Sequence, residues 1–260
     1  MQDVQSRSDD RMLPLQKVGV KNVSYPIQVL DKARGHQQTV ASIDLFADLP
    51  HHFKGTHMSR FIEVFHQHRE NISMPNFLVK REEIRIALDA EEAYGTVRFP
   101  YFITKTAPVS GQASVMTYQC FFQGEARRQS QSFFVGIEVP VHTLCPCSKE
   151  ISKYGAHNQR GTVRVVVRMG KEFFWMEELI ALVESCASSG LYPLLKREDE
   201  RFVTEHAYEN PVFVEDLVRA VTVKLEERGG FPWFTVEAEN QESIHLHEAY
   251  AFIERGQKDA

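Results

Sequence analysis

Ser132-Phe133-Phe134-Val135-Gly136-Ile137-Glu138-Val139-Pro140-Val141-His142-Thr143-Leu144 reads as a strand, and it is where the chain begins its order of elements a second time. A second strand is expected at Thr162 to Met169, followed by two helices. Met176, Leu179, Ile180 and Val183 mark one apolar helical face, and Val214, Leu217, Val218, Val221 and Leu225 mark the other. Asn210 is the expected cap of that second helix, with Pro211 at its first position. Final strands are expected at Trp233 to Glu239 and Ala249 to Glu254. Upstream, Val18 to Leu30 and Gln37 to Phe46 read as strands separated by the turn Lys32-Ala33-Arg34-Gly35. Met58, Phe61, Ile62 and Phe65 then mark a helix with Thr56 as cap, and a less regular helix is expected at Asn76 to Leu88. Strands at Ala93 to Thr104 and Ala113 to Gln123 complete the first round. After a polar N-terminus over 1–12, two halves, 13–128 and 129–260, therefore share the order strand, strand, helix, helix, strand, strand. The class is α+β, each half offering a four-stranded antiparallel sheet with two helices on one face. No residue-level identity links the halves, so the repeat rests on element order. Such sheets leave a face or an edge for another subunit to cover, so an oligomer is expected.

The chain has 260 residues, and 30 Lys+Arg against 35 Asp+Glu give a net charge of −5, which argues against nucleic acid as a partner. A hydrophobic share of 43% with 25% charged residues is globular composition. No apolar run approaches the roughly 18 residues of a membrane helix, and the first dozen residues lack a secretory apolar stretch, so the expected location is the cytoplasm and no membrane partner is expected. Four cysteines are too few for a disulfide scaffold, and a reducing compartment leaves them for metal binding or catalysis.

The phosphate-cradling loops GxxxxGK[ST] and GxGxxG are absent, as is HExxH. What stands out is Val141-His142-Thr143-Leu144-Cys145-Pro146-Cys147-Ser148-Lys149-Glu150, followed by Tyr154-Gly155-Ala156-His157-Asn158-Gln159-Arg160. Two thiols and an imidazole fall within 13 residues, a donor set suited to zinc or another borderline divalent metal. Pro146 biases Cys145 toward extended geometry, which would turn both sulfurs to one side. The bland alternative is that both cysteines are packing residues and His157 lies on the surface. A second polar group, Glu242-Ser243-Ile244-His245-Leu246-His247-Glu248, precedes the last strand; His245 and His247 share a face if the strand starts there, although an HxH pair alone arises easily among 11 histidines. The pairs His51-His52 and His66/His68, with no cysteine neighbour, read as solvated or helix-surface residues. The charged run Leu195 to Glu205 reads as a solvated loop, and Glu215 as a carboxylate in the first turn of a helix, where the dipole favours it.

Taken together, Leu144 to Ser152 (LCPCSKEIS), Tyr154 to Arg160 (YGAHNQR), Lys54 to Phe61 (KGTHMSRF), Lys105 to Gly111 (KTAPVSG) and Glu242 to His247 (ESIHLH) resemble the type IB GTP cyclohydrolases over about residues 13 to 254. Leu246 departs from the family pattern, being apolar where a polar residue is expected. The resemblance implies two tandem tunnelling-fold (T-fold) halves, a homotetramer, and GTP as substrate. It implies a metal-dependent hydrolysis that opens the guanine imidazole ring, gives 7,8-dihydroneopterin triphosphate and formate, and begins tetrahydrofolate synthesis. By the same resemblance Cys145 and His157 are the core metal ligands, and Glu200 and His245 are additional ligands or proton carriers. Glu215 accepts guanine N1–H and the 2-amino group, and Lys54, His57, Arg60, Lys105, Lys149 and Arg160 are candidates for the triphosphate. Zinc, manganese and iron all suit such donors, and Cys147 is a neighbouring thiol or a disulfide partner of Cys145. Two rival readings are a nitrile reductase of the same fold acting on a deazapurine, and a non-catalytic module with a closed structural zinc site.

Overall fold

A computed structural model describes residues 10–51, 53–67, 85–86, 90–128 and 130–258. Among these, eight strands form one antiparallel sheet in simple sequential order. They are β1 (Leu15–Asp31), β2 (Gly35–Leu49), β3 (Glu92–Thr106), β4 (Ala113–Arg127), β5 (Gln131–Leu144), β6 (Asn158–Arg168), β7 (Trp233–Gln241) and β8 (Glu248–Gly256). The helices are α1 (Met58–Gln67), α2 (Pro146–Ile151), α3 (Met176–Glu184), α4 (Arg197–Glu209) and α5 (Val214–Arg228). The helix expected at Asn76 to Leu88 lies, apart from 85–86, outside the described residues. No helix among the described residues is long and apolar enough to cross a membrane.

Contacts divide the chain into two compact units. One comprises the described residues up to Pro100 with Phe121–Val135; the other comprises Tyr101–Cys120 and the described residues from Gly136 on. In the first, the expected turn closes the β1–β2 hairpin. The Asp31 carboxylate accepts from Ala33 N at 2.9 Å and Arg34 N at 2.8 Å, and Gly35 takes the positive φ of 81° that a side chain would resist. Alternation then buries Ile27 and Val29 on β1 and Ala41, Ile43, Leu45 and Ala47 on β2. Helix α1 turns Phe61 and Phe65 inward, and the Phe65 ring meets Tyr25 edge-on at 5.4 Å. Met58, expected on that buried face, is 41% exposed because it opens the helix.

In the second unit, Val163, Val165 and Val167 of β6 and Val236 and Ala238 of β7 form one buried face. Helix α3 buries Met176, Leu179, Ile180 and Val183, while α5 buries Val214, Leu217, Val218, Val221 and Leu225 and packs against β7 and β8. Each such side chain stabilises the fold by about 1.5–3 kcal/mol on full burial, an upper bound set by an extended unfolded chain.

The charged run at Leu195 to Glu205 is not a loop but the start of α4. Its N3 residue, Asp199, is fully buried: its carboxylate accepts from Lys196 N at 2.8 Å, from Val109 N and Ser110 N at 2.8 Å each, and from Ser110 Oγ at 2.6 Å. Burial pushes that carboxyl up, but the hydrogen bonds outweigh it and hold it well below the usual carboxylate range. Asn210 does not cap α5. It ends α4, donating its N–H to His206 O at 3.1 Å, and the α5 cap position is Phe213. Pro211 cannot continue α4, so the chain runs on extended, and Val212 N donates to Leu144 O at 3.1 Å, tying this link to the end of β5.

Candidate active site

Strand β5 delivers Cys145. Near the strand end, Leu144 N donates to the buried Ser188 Oγ at 3.0 Å, and His142 bridges Ser189 through paired backbone hydrogen bonds at 3.4 and 3.3 Å. Cys145 is the cap residue of α2, extended at φ −69°, ψ 117° as a residue before proline should be, and its Sγ accepts from Ser148 N at 3.3 Å. Pro146 starts the helix, so Cys147 lies on a helical turn and is exposed while Cys145 is half-buried. The expectation that both sulfurs share one side of an extended segment therefore fails at Pro146, where extended backbone gives way to helix. All four cysteines are free thiols.

Two backbone links bring His157 to the same place: Cys145 N donates to His157 O at 3.0 Å, and His157 N donates to Ser148 Oγ at 3.2 Å. The imidazole is largely buried, 13% exposed, against the surface expected on the bland reading. Its Nδ1 lies 3.0 Å from Gln159 Oε1 and 3.8 Å from Glu242 Oε2. Gln159 Nε2 in turn donates to Thr143 Oγ1 at 3.1 Å and to Glu242 Oε1 at 3.5 Å. Sheet register explains the meeting of Gln159 with Glu242. Gly161 of β6 pairs with Asn240 of β7, so stepping two residues outward along both antiparallel strands sets 159 opposite 242.

The other expected residues are displayed rather than enclosed. Glu200 is exposed in the first turn of α4, next to the buried Asp199. His245 and His247 lie in the β7–β8 connection, not in β8, and both are exposed; their rings nevertheless stack, with centroids 5.0 Å apart. Glu215 is exposed in the first turn of α5.

As a donor set, the thiol of Cys145 and the imidazole of His157 suit a divalent metal, since the His157 Nε2 has no hydrogen-bond partner among the described residues and the ring is held through Nδ1. Among the described residues of one chain, no group of three or more His, Cys, Asp and Glu side chains is arranged to hold a metal ion.

The basic residues divide similarly. Lys105 is engaged inside the protein: its Nζ is 2.7 Å from Glu184 Oε1, which also accepts from Tyr118 OH at 2.8 Å, and it sits 4.6 Å over the Tyr192 ring. Lys149 donates to Tyr208 O at 2.5 Å and lies 4.4 Å over the Tyr208 ring. Lys54 and Arg160 are exposed; His57 immediately precedes α1, and Arg60 lies in its first turn.

The model of the family described as type I GTP cyclohydrolase FolE2 matches residues 1–251. The chain belongs to that family. Two relatives named GTP cyclohydrolase FolE2 show how evenly this FolE2-family sequence matches. The protein from Syntrophus aciditrophicus is 55% identical over 255 residues, covering 98% of this chain and all of that one. The protein from Geobacter sulfurreducens is 53% identical over 260 residues, covering all of both. Among solved structures, urate oxidase from Bacillus sp. TB-90 shares the fold, with a TM-score of 0.53 over 94% of this chain and all of that one at 7% identity.

Within this FolE2-family chain, reading the sequence passed over the residues that hold the site together. Gln159 and Glu242 stood inside the quoted motifs without a role, and the β6–β7 register that joins them is not visible from either motif alone. Asp199 was hidden in a run of charge, its one available signal being an acidic residue three positions after Lys196, the spacing of a helix-start carboxylate.

Proposed function

We propose that this chain is a metal-dependent GTP cyclohydrolase that opens the guanine imidazole ring of GTP, giving 7,8-dihydroneopterin triphosphate and formate at the start of tetrahydrofolate synthesis. The observation that carries the reading is the family match over residues 1–251, together with the meeting of two of its motifs at Cys145 and His157. Cys145 and His157 hold the metal, and Glu200 and His245 add ligands or carry protons. A divalent ion held there would supply Lewis-acid chemistry, lowering the pKa of water to about 7 and making hydroxide available to guanine C8 at neutral pH.

The remaining work falls to the chain's own side chains. Glu215 accepts guanine N1–H and the 2-amino group in a two-pronged hydrogen bond that fixes which edge of the base enters. Lys54, His57, Arg60, Lys149 and Arg160 supply the positive charge the triphosphate requires, and Lys105 joins them only by leaving Glu184. Because Glu200, His245 and Glu215 are exposed in a single chain, we place the complete site in a homotetramer of tandem T-fold halves divided near residue 128. Exposed Tyr250 and Phe252 on the edge strand β8 support an assembly, and free thiols suit a cytoplasmic location.

The test is formate release from GTP by purified protein, with metal content measured on the same sample before and after chelation. Formate released in step with bound metal is the expected result. A metal-replete protein that releases none from GTP, or that reduces a deazapurine nitrile instead, overturns the reading.

A further inference from the structure

Gln159 has no part in the chemistry proposed above, yet it is 7% exposed and faces the Nδ1 ring nitrogen of His157. Its amide can be oriented in only one way. Glu242 Oε1, 3.5 Å away, belongs to a carboxylate, which accepts and cannot donate, so the NH2 end of the amide must face it. The same NH2 donates to the fully buried Thr143 Oγ1 at 3.1 Å. That leaves Oε1, an acceptor only, 3.0 Å from His157 Nδ1, so Nδ1 must carry the proton. The second Glu242 oxygen, 3.8 Å from Nδ1, favours a proton there as well. With the hydrogen on Nδ1, the other nitrogen, Nε2, is left as a lone pair.

We propose that Gln159 is a positioning residue that locks His157 in its Nδ1–H tautomer and so presents Nε2 as the metal donor. The inference rests on the metal reading of the site for its purpose, but its first consequence concerns the metal-free chain. Carboxamide, hydroxyl and carboxylate form a relay, Thr143 and Glu242 orienting Gln159, and Gln159 orienting the ring. Ligating histidines commonly depend on such a partner at their other nitrogen, and its removal typically costs 10–100-fold in metal affinity.

The decisive measurement is the nitrogen NMR spectrum of full-length, metal-free protein labelled at histidine, with the His157 signals identified by their loss in His157→Gln. Neutral His157 should show a protonated Nδ1 and an unprotonated Nε2. In Gln159→Leu, which keeps the bulk but removes the acceptor, that preference should disappear, and zinc affinity in competition with a chelator should fall by about 10–100-fold. Exchanging the two groups, Gln159→Glu with Glu242→Gln, keeps an acceptor against the ring and an amide behind it, and should restore both readouts. A folded Gln159→Leu protein that retains the wild-type tautomer and zinc affinity overturns the proposal. So does wild-type His157 with its proton on Nε2, a result that requires no variant to fold. Should the tautomer and zinc results hold while GTP yields no formate, the role of Gln159 stands and the cyclohydrolase reading falls.

Discussion

The two imidazoles singled out by motif, His157 and His245, occupy opposite physical situations. His157 is 13% exposed and anchored through its backbone to Cys145 and Ser148 and through its ring to Gln159. His245 is exposed in the β7–β8 connection, and its ring stacks on that of His247. The same contrast separates Cys145, fixed as a helix cap, from Glu200 and Glu215, exposed in first helical turns. One group is held before any ligand arrives, because backbone hydrogen bonds and a strand register fix it. The other is displayed to solvent in the single chain. On the proposed reading, the held half carries the metal and the displayed half is completed by a second chain.

The most severe way to break this contrast is to remove the anchored half. Cys145→Ala or His157→Ala should abolish formate release and sharply reduce bound metal while leaving a folded protein, measured by turnover, metal content and circular dichroism together. Full activity in either variant would show that Cys145 and His157 do not hold a catalytic metal.

Glu215 tests the displayed half. Were it only a carboxylate in the first turn of α5, Glu215→Gln would lower stability by about 0.3–1 kcal/mol and leave catalysis nearly untouched. As a guanine anchor it behaves differently, since the amide presents a donor where the second acceptor stood and a base N–H loses its partner. An unpaired buried donor costs about 1–3 kcal/mol, so kcat/KM for GTP should fall by about tenfold to a hundredfold with metal content unchanged. Mixing Glu215→Gln with Cys145→Ala protein should then recover part of the lost turnover if the two halves meet across an interface; no recovery, with both variants assembled, would place them within one chain.

Much of this was legible, and what was not had a physical cause. The strands and the stripes of α3 and α5 announced themselves through apolar periodicity, because burial there is what forms them. Helix α4 was hidden because it buries only Asp199 and Ala207; it is held at its start by a carboxylate rather than by an apolar face, and charge without period reads as loop. Asn210-Pro211 carried a true helix-boundary signal whose direction was ambiguous, since Asn can close a helix and Pro can stop one. Cys145 and His157 were readable from local spacing, whereas Gln159 and Glu242, 83 residues apart, needed the β6–β7 register.

Asp199 gives a smaller effect on turnover and a pH signature. Its carboxyl is held below its unfolded value, so the stability it contributes is fully present above the ordinary aspartate pKa of about 3.9 and is lost as pH falls from there toward the folded value. Asp199→Asn should therefore unfold at clearly lower urea than wild type near neutral pH, with the gap narrowing as the pH drops through about 4. A gap independent of pH would mean that the hydrogen bonds to Val109, Ser110 and Lys196 do not depend on the charge.

The smallest effect on turnover is expected at Lys105, where the contrast can be sharpened because a basic residue of the family pattern lies on the enclosed side. Its Nζ and the Glu184 carboxylate are 2.7 Å apart with side chains only 13% and 17% exposed, and Tyr118 OH donates to the same carboxylate oxygen. Burial and that carboxylate push the Tyr118 hydroxyl far above its ordinary value, so at neutral pH it remains a donor. Lys105→Met removes the cation and leaves Glu184 with the tyrosine alone. Breaking a fully buried pair costs about 3–5 kcal/mol, and the residual exposure here places the loss near the lower end. Lys105→Met with Glu184→Leu removes both charges, should recover most of that stability, and should leave KM for GTP within about twofold of wild type, because no phosphate contact has been lost. If instead the double variant is stable while its KM rises tenfold or more, Lys105 leaves Glu184 for the triphosphate, and the boundary between held and displayed groups runs through this ion pair.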